Sequence, residues 1–110
     1  MPGDMVIAAY RPLDESRRKP LRELVRMHNT TLRVEGLITD RPAQLLEAAD
    51  GTLLEIFEWK PGAAKVAHDH PAIQRLWKKM EEVAEFVPLI ALQEAETPFP
   101  HFKAVDGVVS

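Results

Sequence analysis

Ala43-Gln44-Leu45-Leu46-Glu47-Ala48-Ala49-Asp50-Gly51-Thr52-Leu53-Leu54-Glu55-Ile56-Phe57-Glu58-Trp59 is the stretch on which the fold turns. By propensity its first seven residues favour a short helix, with Asp40, Pro42 and Gly51 placed to bound it. Its centre argues the other way. Asp50-Gly51 directly ahead of a strand marks a hairpin turn, because glycine takes positive φ at no steric cost. The run from Thr52 to Trp59 carries β-branched and aromatic residues, which suit a half-buried pleated surface. The hairpin reading places strands near 43–49 and 52–59. Leu46 and Ala48 then share one face, and Leu45, Glu47 and Ala49 the other.

Outward from the hairpin, helices and strands alternate. Met5 to Tyr10 is short and continuously apolar and is followed by Arg11-Pro12, so it reads as a first strand covered on both faces. Leu21, Leu24, Val25, His28 and Leu32 recur at spacings of three and four, the stripe of a helix. Pro20 fits its first turn, and Gly36 is a stop. The basic residues Arg17, Arg18, Lys19, Arg22, Arg26 and Arg33 lie mostly off that stripe. With Glu15 and Glu23 interleaved, they read as a solvated face. A second helix opens after Pro61-Gly62, is bent or broken at Pro71, and continues through Ile73, Leu76, Trp77, Met80, Val83 and Ala84. Leu89 to Gln93, after Pro88, reads as the last strand. The order is βαββαβ, the ferredoxin-like arrangement of an α+β fold: an antiparallel sheet with two helices on one face. Residues 1–95 form this domain. Residues 96–110, with Pro98, Phe99, Pro100 and Phe102, form an extended C-terminal arm, since prolines cannot donate to a central ladder.

Helices on one face leave the other face bare. In the strand Leu53 to Trp59 neither set of alternate residues is clearly polar, and the first and last strands are apolar on both sides. A bare apolar sheet face marks an interface. It implies a homodimer with two sheets packed face to face. The Phe99 and Phe102 arm crosses to the partner, packs on its own subunit or is disordered.

Composition bounds the function classes. The chain has 110 residues, 45% of them hydrophobic and 28% charged, which suits one soluble domain rather than a disordered chain. It has no cysteine, which excludes thiol catalysis, disulfides and cysteine-ligated metal. A net charge of −3 makes a nucleic-acid partner a poor expectation. No apolar run approaches the roughly 20 residues that span a bilayer, and Met1-Pro2-Gly3-Asp4 is not the basic start of a signal peptide, so no membrane partner and a cytoplasmic location are expected.

The segment Leu54 to Lys60, followed by Ala64 and Ala67-His68, is a strand ending in an aromatic and then a helix opening on alanine and histidine. Trp59 and His68 are nine apart, and His28, Pro71 and Trp77 extend the pattern. In these residues, over about positions 4 to 95, the chain resembles the dimeric α-β barrel superfamily, which contains the antibiotic biosynthesis monooxygenase-like domains. The resemblance implies a homodimer. It also implies a range of roles: cofactor-independent oxygenase, haem-degrading enzyme, dechlorinase-like protein or stress-response protein.

Six residues carry the candidate chemistry. His28 and His68 are candidate catalytic residues, because imidazole exchanges protons near neutral pH. Each also has a structural reading, as a packed or capping histidine. Glu55, inside an apolar strand, is a candidate acid, base or substrate-binding group, or else a partner for an arginine. Tyr10, Trp59 and Trp77 are candidate substrate-binding residues for a flat small molecule, or else core aromatics. Glu58 is expected in solvent. His68-Asp69-His70 lacks a metal-binding motif, so no metal is expected, and no cofactor either. Gly-x-Ser-x-Gly, phosphate-loop and dinucleotide signatures are absent. The function expected is a monooxygenase-like enzyme acting without a cofactor on a small aromatic or polyketide-like ligand; the alternative is a non-enzymatic dimeric binding or stress-response module.

Overall fold

Strand β1 (Met5–Pro12) lies at the heart of an antiparallel sheet, with β3 (Leu53–Glu58) on one side and β4 (Ala84–Val87) on the other. Strands β2 (Gln44–Glu47) and β5 (Lys103–Ala104) complete the order β4-β1-β3-β2-β5. The structure is a computed structural model describing residues 3–105. The start at Met1-Pro2 and the arm's last residues, 106–110, lie outside the described residues. Three helices accompany the sheet: α1 (Arg18–Val34), α2 (Ala63–His68) and α3 (Pro71–Glu81). The fold is α+β with a five-stranded antiparallel sheet, compatible with the ferredoxin-like arrangement.

The hairpin prevails over the helical propensity of 43–49. The amide of Gly51 donates to Ala48 C=O at 3.0 Å, and that of Ala48 to Thr52 C=O at 2.8 Å. Gly51 sits at φ +90°, and the Asp50 carboxylate accepts from the amide of Thr52 at 2.9 Å. This is a three-residue loop with glycine at the left-handed position. It fixes the register Leu45↔Glu55, Leu46↔Leu54. Tertiary burial decides the contest, because a strand can bury Leu45 and Ala48 on opposite faces at once.

The helix layer lies over Tyr10, Leu45, Leu53 and Phe57. Leu21, Val25 and Leu32 of α1 meet Ile73 and Met80 of α3 there, all fully buried. Each such side chain contributes about 1.5–3 kcal/mol by leaving water. The opposite face is covered in part. Ala9, Ala48 and Leu54 pack under Leu92, with Phe102 against them, so Phe102 packs on its own subunit. Met5 and Ile7 on the same face remain 53% and 49% exposed, and Phe99 is exposed.

Four expectations are corrected. The strand after α3 is Ala84–Val87, not Leu89–Gln93. Helical spacing carries on past Met80, but the helix ends at Glu81 and the chain pairs with β1 at Ala9↔Val87 and Arg11↔Glu85. Leu89–Ala91 forms a 3-10 turn, closed by the Ala91 amide on Pro88 C=O at 3.0 Å, and it delivers Leu92 to the far face. Second, the described residues form three α-helices where two were expected: of the two outcomes open at Pro71 the chain takes the break, and His70 caps the new helix by accepting from the amide of Ala72. Third, Glu58 is buried, because Thr39 Oγ1 at 2.9 Å and Arg41 at 3.2 Å fold over it. Their hydrogen bonds hold its carboxyl below the usual range. Fourth, the face expected to be bare is the half-covered one just described.

Candidate functional site

Glu55 is the unusual residue of the sheet. On β3, Leu53, Glu55 and Phe57 alternate onto the helix side, so the strand drives a carboxylate beneath α1 with 1% of its surface exposed. A buried carboxylate without donors is costly. Three donors surround this one. Tyr10, diagonal to it on β1, donates its hydroxyl to Oε1 at 2.8 Å. His28 Nδ1 lies 3.0 Å and 3.1 Å from the two oxygens. Asn29 Nδ2 donates to Oε2 at 3.1 Å. Both α1 residues arrive one turn after Leu24 and Val25 on the buried stripe.

His28 is tied at its other end as well. Trp77, on α3, donates its indole N–H to His28 Nε2 at 3.0 Å. An indole nitrogen donates only, so Nε2 holds the lone pair and Nδ1 carries the proton toward Glu55. The result is a chain, Trp77 to His28 to Glu55, joining α3, α1 and β3. Tyr10 joins from β1. Burial, with the charge of Glu55 and its hydrogen bond, pushes the Tyr10 phenol well above its ordinary value. Tyr10 is therefore a protonated donor at neutral pH.

In front of this network lies a cavity of about 500 Å³, in the size range of small-molecule sites. Tyr10, His28, Trp59, His68 and Trp77 all line it, and Glu55 stands behind, holding two of them. All six sequence-derived candidates thus come together. Trp59 packs edge-on against Phe57 at 4.9 Å between ring centres. His68, the last residue of α2, is exposed, with its ring 5.0 Å from that of Trp77. The cavity opens beside β1 where β4 stops, at Val87, Pro88 and Leu89.

Asn29 was missed by sequence reasoning. Its one signal is an amide beside His28 at the margin of an apolar stripe, and such residues usually face water. Its Oδ1 is buried without a hydrogen-bond partner among the described residues. Phe57 and Glu81, which also line the cavity, carry no sequence signal that separates them from core and surface residues. His70, beside His68, is occupied elsewhere: its Nε2–H donates to Glu35 at 2.8 Å while Nδ1 caps α3. The basic face of α1 is laced with ion pairs, Arg18 to Glu15 at 3.0 Å and Arg22 to Glu47 at 2.6 Å. No helix among the described residues is long and apolar enough to cross a membrane.

Compared with known proteins, the chain matches no family model, no curated protein and no solved structure.

Proposed function

We propose that this chain is a small homodimeric enzyme of the dimeric α-β barrel type that binds a flat apolar molecule in the helix–sheet cavity and removes a proton from it, in the manner of a cofactor-independent monooxygenase. One observation carries the reading: a buried carboxylate holds Tyr10 and His28 at the wall of a cavity lined mostly by aromatic and apolar side chains. Cavities of that kind, with a few converging polar groups, are where ligands bind. Glu55 fixes the His28 tautomer, and it stabilises the imidazolium that forms when Nε2 takes a proton. A ligand that displaces the Trp77 indole frees Nε2 for that step. His68, exposed at the rim, relays the proton to water. A substrate whose C–H is acidified by an electron-poor ring system becomes an electron-rich carbanion that itself reduces dioxygen; the protein supplies the base and an apolar site. Dimerisation covers Met5 and the half-buried Ile56 on the far face of the sheet.

The test is oxygen uptake with polycyclic phenols bearing an acidic benzylic C–H. Turnover that is lost in His28→Ala, and reduced in His68→Ala, is the expected result. Turnover surviving in the double variant overturns the mechanism.

A second reading has its own observation. Both ring nitrogens of His28 are already bonded, as in a structural histidine. If the chain is a binding module, His28→Ala lowers stability and leaves ligand affinity intact.

A further inference from the structure

The cavity has an unpaired strand edge at its mouth. The amide of Trp59 donates to Asp4 C=O, which places residues 4, 6, 8 and 10 of β1 in the hydrogen-bonded pairs with β3. Alternation sends the N–H and C=O groups of the odd residues the other way, toward β4. The Leu13 amide on Val83 C=O, at 2.9 Å, confirms that set. Pairing with β4 ends at Ala9↔Val87. Continued, the register would set position 89 against Ile7, but the chain leaves through Pro88 into the 3-10 turn. Among the described residues, no backbone group pairs with the N–H or C=O of Ile7 on that side. Ile7, Val87, Pro88 and Leu89 all line the cavity.

We infer that the ligand of this cavity is an aromatic compound carrying an extended secondary amide, as in an acylated aromatic dipeptide, and that its amide pairs with Ile7 as a short continuation of β4. The inference rests on the reading that the cavity binds a small molecule, and it specifies the class. In a hydrogen-bonded antiparallel pair, one ligand residue gives its N–H to Ile7 C=O and takes the Ile7 N–H on its own C=O. The next ligand residue falls opposite Val6, and alternation turns its side chain to the helix side. There it enters the space between Val6, Trp59 and Trp77, in front of His28. The edge therefore orients the ligand, and the aromatic end meets the proton-handling wall. The cavity lining is apolar apart from the ring and hydroxyl groups of Tyr10, His28, His68 and the indoles, with Glu81 as its one carboxylate, so the ligand is uncharged at this end.

The probe is N-acetyl-Ala-Phe amide, compared with its depsipeptide analogue in which lactate replaces alanine and the pairing N–H is lost. The readout is intrinsic fluorescence, since the two tryptophans of the chain both line the cavity. A single hydrogen bond is worth about 0.5–1.5 kcal/mol, or roughly 3–10-fold in affinity. The depsipeptide is expected to bind about 3–10-fold more weakly. Ile7→Pro should weaken the amide by a similar factor with the fold kept, because that N–H faces away from β3 on the stretch of β1 that lies beyond the end of β4, so proline there removes no ladder hydrogen bond. If Ile7→Pro fails to fold, as judged by circular dichroism, the depsipeptide comparison decides alone. Equal binding of amide and depsipeptide overturns the inference and leaves the cavity reading standing. Failure of the dipeptide to bind also overturns it, and a polycyclic phenol without an amide then tests the cavity reading separately. Slow hydrogen exchange of the Ile7 amide in the free protein would mean that a second copy already occupies the edge, and it would overturn the inference too.

Discussion

Replacing Glu55 by alanine removes the acceptor at the centre of the buried network. Three donors then lose their partner: the Tyr10 hydroxyl, His28 Nδ1–H and the Asn29 amide. A buried donor left unmade costs about 1–3 kcal/mol, so the three together cost roughly 3–9 kcal/mol. Water entering the space vacated by the side chain returns part of this, leaving a net loss of about 3–5 kcal/mol. That is a large share of the roughly 5–15 kcal/mol that holds a domain together. At about 5 °C per kcal/mol for a chain of this size, the melting temperature should fall by around 15–25 °C. Glu55→Gln provides an internal control. Its oxygen still accepts from Tyr10 and His28, while its new NH2 group meets the Asn29 amide head-on. Asn29 can turn over, because its Oδ1 has no partner to lose. The glutamine variant should therefore lose less than half as much as the alanine variant. Urea unfolding at neutral pH, with slopes compared to confirm two-state behaviour, measures both. A loss below about 1 kcal/mol for Glu55→Ala, or equal losses for the two variants, would refute the reasoning.

Tyr10 is the only tyrosine, so tyrosinate absorbance reports it alone. Its phenol is raised by burial and by Glu55, so the stability it contributes is complete below its unfolded value of about 10 and is lost as pH rises beyond that; ionisation should coincide with alkaline unfolding, and Tyr10→Phe should flatten that dependence. Trp77→Phe removes the donor to His28 Nε2 and should cost about 1 kcal/mol in urea unfolding. It should also speed the modification of His28 by a histidine reagent in peptide mapping. Gly51→Ala places a side chain at φ +90° and should cost about 1–3 kcal/mol, which thermal melting measures.

Much of this arrangement was legible in the residues, for physical reasons that differ by element. The stripe of α1 and the Asp50-Gly51 turn are local signals, and both survive in the structure. Tyr10, Glu55 and His28 could be singled out because a polar or titratable group in an apolar segment needs a partner, and each became another's partner. The misplaced last strand shows where local signals fail. Ala84-Glu85-Phe86-Val87 and Leu89-Ile90-Ala91-Leu92 are both short and apolar enough; pairing with Arg11 and Ala9 selects the first, and no local feature encodes that choice. Glu58 was misread for the same reason, since Thr39 and Arg41 reach it from a loop nineteen and seventeen residues away in sequence. Asn29 was invisible because its role depends on a carboxylate on another strand.

The direction of the hydrogen bonds through His28 decides both the site and its chemistry. Nitrogen-detected magnetic resonance of the histidine rings, at a pH where they are neutral, reads that directly. The expected result is an Nδ1–H tautomer for His28, with the proton coupled into the Glu55 bond and an unprotonated Nε2 that shifts when Trp77 is replaced by phenylalanine. An Nε2–H tautomer, or an Nε2 signal unmoved in that variant, would contradict the network on which both the site and its proposed chemistry are built.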